Sequence, residues 1–95
     1  MEFNRQLLQE IRKMAAHGAA PSRLLRVIVD RLNMPQAESR LHVVAYFREG
    51  FHLSLADAMS VGASCVFPDG NRADGDLDIE MRALIMATQH LWREQ

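Results

Sequence analysis

The residues of this chain best suited to chemistry are carboxylates. Asp69, Asp74, Asp76, Asp78 and Glu80 fall within twelve positions, with Arg72 as the one cation among them. Oxygen donors at that density invite a calcium-loop reading, because Asp69, Asn71, Asp74 and Glu80 can ligate and Asp69 to Glu80 spans twelve residues. The register fails. With Asp69 first, the turn glycine of such a loop falls on Asp74 and the fifth-position ligand on Ala73. Moving one residue on places Gly75 correctly but puts Gly70 and Met81 at the two ends, where ligands are needed. No metal is expected. Two uses remain: a solvated turn whose carboxylates suit the positive end of the last helix, and an epitope that complements Lys and Arg on a partner.

The other reactive groups are sparse. Cys65 is the sole cysteine, so neither an intrachain disulfide nor a paired-cysteine zinc site can form. As a nucleophile it would need a base, and His52 and Asp57 are near only in sequence; a buried thiol acting as a small apolar side chain is expected. His17, His42, His52 and His90 are scattered, with no two at i, i+4 spacing, and are expected at surfaces or interfaces. No catalytic constellation emerges. The chain is therefore expected to be no enzyme, to have no catalytic residue and no cofactor, and to act by binding.

The elements that must position these groups read as helices. Phe3, Leu7, Leu8, Ile11, Met14 and Ala15 recur at three- and four-residue intervals and predict a helix that stops near His17 and Gly18. Pro21 opens a second, with Leu24, Leu25, Ile28 and Leu32 inward, ended by Asn33 and Met34. Pro35 opens a third, with Ala37, Leu41, Val44, Phe47 and Phe51 on one side, Tyr46 and Val43 widening that stripe, and Gly50 expected as its left-handed terminal residue. Ser54 is placed to cap a short fourth helix from Leu55 to about Met59. Residues 60 to 75 have no helical period, apart from a possible extended piece at Ser64 to Phe67; Val66 and Phe67 are expected to pin this loop to the core. The last helix carries Leu77, Met81, Leu84, Ile85, Thr88, Leu91 and Trp92, with Asp76 expected as its N-cap. The fold expected is all-α: a single irregular bundle of four to five helices over residues 1 to 95, with one long loop before the last helix.

Composition agrees with one modest core. A 95-residue chain buries roughly 60 to 70% of its unfolded surface, and 48% apolar against 24% charged residues is ordinary for a globule. Six methionines suggest adaptable core packing. The net charge of −1 supplies no field toward nucleic acid or an anionic membrane. Its distribution is uneven. Residues 1 to 48 hold eight Lys and Arg against four Asp and Glu, and residues 49 to 95 hold three against eight. The N-terminus has no signal-peptide pattern and no stretch reaches about 18 apolar residues. The cytoplasm is the expected location, with no membrane partner.

A helix-turn-helix over about 21 to 49 is the alternative, with Gln36, Ser39 and Arg40 at the start of the would-be recognition helix. That helix continues as Leu41-His42-Val43-Val44-Ala45-Tyr46-Phe47, apolar nearly all round, which suits a core better than a groove of DNA. The corner Tyr46-Phe47-Arg48-Glu49-Gly50-Phe51-His52-Leu53-Ser54-Leu55-Ala56-Asp57-Ala58 resembles a pattern in small bacterial immunity proteins of contact-dependent inhibition and polymorphic toxin systems. Where that family often continues with Gly-Trp, this chain reads Val61-Gly62-Ala63. The resemblance implies a small cytosolic protein that binds the C-terminal domain of a cognate toxin. Many such toxins are nucleases, whose cationic sites would accept carboxylates in place of phosphates. Asp69, Asp74, Asp76, Asp78 and Glu80 are then the expected partner-binding residues.

Overall fold

The computed structural model describes residues 2–93. In chain order the helices are α1 (Arg5–Ala16), α2 (Pro21–Leu32), α3 (Gln36–Phe51), α4 (Leu55–Met59), α5 (Asp74–Ala87) and α6 (Gln89–Trp92), with a 3-10 turn Ser60–Ala63 directly after α4. The fold is all-α. Among the described residues the nearest approach to a sheet is an isolated bridge between Ser64 and Arg72. One hydrophobic cluster joins Leu7 and Ile11 of α1, Leu24 and Ile28 of α2, Phe47 and Phe51 of α3, and Leu77, Met81 and Trp92 of the C-terminal segment.

Local signals set most boundaries. Asn4 caps α1 by accepting from the Leu7 N–H, and α2 begins with Pro21 in its first turn. Ser54 caps α4 through the Asp57 N–H at 3.1 Å. The end of α3 differs from expectation. Gly50 lies inside the helix, which continues to Phe51, and His52 takes the left-handed position at φ 53°. The reason is close approach: a Cβ on Gly50 would stand 3.0 Å from Ile11 Cδ1, and the Arg12 Nε–H donates to the Gly50 carbonyl at 2.7 Å. The inner face of α3 is the expected one over its C-terminal part, where Val43, Val44, Tyr46, Phe47 and Phe51 are buried, while Ala37 and Leu41, expected on the same side, face outward.

The last helix starts three residues early and is split. Ala73, without a side-chain bond, occupies the cap position expected for Asp76, which sits within the first turn. The break falls at Thr88, whose hydroxyl donates to the Phe51 carbonyl at 2.7 Å. Trp92 then folds back, its indole N–H donating to the Ile85 carbonyl at 3.1 Å and its ring meeting Phe51 edge-on at 5.1 Å. The loop between the 3-10 turn and α5 is tied down. Phe67 is buried, the Cys65 N–H donates to the Arg72 carbonyl, and the Arg72 N–H donates to the Ala63 carbonyl. Cys65 is exposed, contrary to the buried thiol expected, because its neighbours Ser64 and Phe67 take the inward positions.

Candidate functional site

The five carboxylates do not form one surface. Asp74 pairs with Arg26 at 3.0 Å across two half-exposed side chains. Asp78 accepts from both the N–H (2.7 Å) and the hydroxyl (3.0 Å) of Ser22, so it caps the start of α2, where Ala20 offers no side-chain bond. Glu80 pairs with Arg72 and accepts from the Ser60 hydroxyl at 3.3 Å. Three of the five are thus engaged within the fold. Asp69 and Asp76 keep their carboxylates free of recorded partners among the described residues, and Asp69 stands in the left-handed region at φ 65°. No group of three or more His, Cys, Asp and Glu among the described residues is placed to hold a metal ion.

What Asp69 borders is a groove. Helix α3 is apolar on both sides, so burying one leaves the other facing out, and Leu41 is 75% exposed. Leu55 and Met59, four apart on α4, present one edge at 51% and 57% exposure, and Leu91 of α6 is 44% exposed. Together with Ala45 and Phe3 they line an open groove of about 1240 Å³. Its rim carries Arg40, Arg48, Glu49, His52 and Asp69. The Arg40 guanidinium donates to the Pro68 carbonyl and sits 5.5 Å over the Phe67 ring, which holds the turn bearing Asp69 against α3. The groove escaped the carboxylate-centred reading. Its signal was present in the apolar outer positions of α3 and the i, i+4 pair Leu55 and Met59.

Of the five arginines in residues 21–49, where the DNA alternative would lie, three are engaged within the fold. Arg26 is held by Asp74, Arg31 by Glu10 at 2.6 Å, and Arg40 by the loop, while Glu38 and Leu41 face outward on the helix that would read bases. Among the described residues no helix is long and apolar enough to cross a membrane. No family model, curated protein or solved structure matches this chain.

Proposed function

We propose that this chain is a binding module of the immunity type, which holds and neutralises a cognate toxin domain in the cytoplasm by gripping it in the α3–α4 groove. The observation that carries the reading is the convergence of four exposed large apolar side chains, Leu41, Leu55, Met59 and Leu91, on one groove. An apolar centre bounded by charged groups is the anatomy of a protein-binding surface, and isolated exposed leucines are not. The acidic epitope expected from the sequence narrows to Asp69 on the groove rim, with Asp76 elsewhere on α5; Asp74, Asp78 and Glu80 contribute by shaping the fold. The resemblance of the corner at Tyr46 to Ala58 supports the same reading, since that corner joins the two helices that line the groove.

The test is to read the neighbouring genes for a large toxin reading frame and co-express its C-terminal domain with this chain, scored by cell survival and by co-purification. The double variant Leu41→Asp/Met59→Asp should lose both, with an unchanged helical spectrum, because both side chains are already in water. Protection and binding equal to the parent would remove the groove from consideration. Retardation of duplex DNA at low salt, abolished by Arg40→Ala, would favour the helix-turn-helix reading instead.

A further inference from the structure

The groove contains one cation whose pairing is incomplete. Arg26, Arg31 and Arg72 each meet a carboxylate, whereas Arg40, which lines the groove, has none within ion-pair distance among the described residues. Its one recorded hydrogen bond runs to a neutral acceptor, the Pro68 carbonyl. The Phe67 ring, 5.5 Å from the guanidinium, supplies an aromatic face but no lone pair. A guanidinium is a fork of several N–H donors, and here the Nε–H is buried without a hydrogen-bond partner. A desolvated donor without an acceptor is destabilising, more so on a charged group.

We propose that Arg40 is the anchor of the groove, and that the partner segment it takes carries a carboxylate set among apolar side chains. This rests on the reading of the groove as the partner-binding surface and adds the chemistry of the occupant. A carboxylate accepts from two guanidinium N–H groups at once, and such charge-assisted bonds are about twice as strong as neutral ones. It answers the Nε–H and an Nη–H together, where the Pro68 carbonyl answers one donor.

Little is lost in the exchange. Pro68 is exposed, so its carbonyl can return to water, and the loop keeps its other ties through the buried Phe67 and the Arg72 N–H on the Ala63 carbonyl. The stem of Arg40 packs along the 3-10 turn, where a Cβ on Gly62 would meet Arg40 Cγ at 3.5 Å, so the guanidinium is the part that turns toward an occupant. Leu41, Leu55 and Met59 line the same groove. An occupant that reaches Arg40 therefore has to bury apolar atoms beside its acid, which a phosphate group does not bring. Arg48, about two turns along α3, also lines the groove but is exposed, and its charge is already solvated.

Nuclear magnetic resonance titration of the isotope-labelled chain with heptanoate, and with heptanamide as its uncharged counterpart, tests this on the parent protein. Heptanoate should shift the Arg40 Nε–H and the Asp69 and Gly70 amides together with the Leu41 and Met59 methyl groups. Heptanamide should bind at least about threefold more weakly. Arg40→Gln should abolish the preference for the acid, whereas Arg48→Gln, which removes the same charge from a solvated position, should keep it. Arg40→Lys retains the charge without the fork and should bind heptanoate more weakly than the parent. Equal binding of acid and amide overturns the proposal, as does binding of neither, or a preference for the acid that survives Arg40→Gln. Toxin protection lost in Leu41→Asp/Met59→Asp but kept in Arg40→Gln would leave the groove as the binding surface and remove Arg40 as its anchor.

Discussion

At the scale of single residues, five acids of similar appearance divide by their partners. Asp78 accepts two bonds from Ser22, fifty-six positions earlier in the chain, and satisfies an N–H at the start of α2. Removing it leaves that donor unpaired, so Asp78→Ala should cost about 1 to 2 kcal/mol, read as a lower urea midpoint with unchanged slope. Asp69→Asn, in a free and exposed side chain, should stay within about 0.5 kcal/mol in the same measurement. A larger loss at Asp69 than at Asp78 would show that the assignment of structural and free carboxylates is reversed. The sequence made all five equally eligible because spacing along the chain carries no information on a contact fifty-six residues away. Asp76 was expected as the cap from its place before the apolar run, but α5 begins at Asp74, and its outermost carboxylates serve other elements or none.

At the scale of elements, local chemistry was legible and close packing was not. Asn33 ends α2 in the left-handed region, Pro21 opens that helix, and Ser54 starts α4, each as side-chain chemistry dictates. Gly50 misled, because a glycine before Phe51 reads as a terminator while its use here is to admit Ile11 of α1. Two other glycines give the same substitution opposite signs. A Cβ on Gly70 would lie 1.9 Å from the Ser64 carbonyl oxygen, a backbone atom held by the loop, whereas one on Gly75 meets nothing within 4 Å. Gly70→Ala should therefore destabilise by about 1 to 3 kcal/mol through overpacking. Gly75→Ala, inside the first turn of α5, should stabilise by about 0.4 to 1 kcal/mol by restricting the unfolded chain. Both are read from thermal unfolding. Equal midpoints for the two variants would mean that the loop yields freely and does not hold the groove rim in place.

Across the whole molecule, the fold mixes the uneven charge of the sequence at the groove. One ion pair, Asp74 with Arg26, joins the two halves of the chain, and the groove rim mixes Arg40 and Arg48 with Glu49 and Asp69. The all-α class was legible because every long segment has a helical period, and the groove was not, because its walls come from α3, α4, α6 and the loop, which only the fold assembles. This balance separates two modes of partner recognition. An acidic epitope meeting a cationic site gains most of its encounter rate from long-range attraction, and loses it as salt shortens the Debye length from about 10 Å at 0.1 M to about 3 Å at 1 M. An apolar groove with a balanced rim has little net field to screen, and its binding carries a negative heat-capacity change from buried apolar area. Titration calorimetry of the proposed toxin partner into this chain should accordingly show affinity changing by less than about tenfold between about 0.1 M and 1 M salt, with a negative heat-capacity change. Asp69→Asn should slow association modestly and leave dissociation nearly unchanged, as for a rim charge. A steep fall of affinity with salt, together with a heat-capacity change near zero, would return recognition to the free carboxylates Asp69 and Asp76 and take it away from Leu41, Leu55 and Met59.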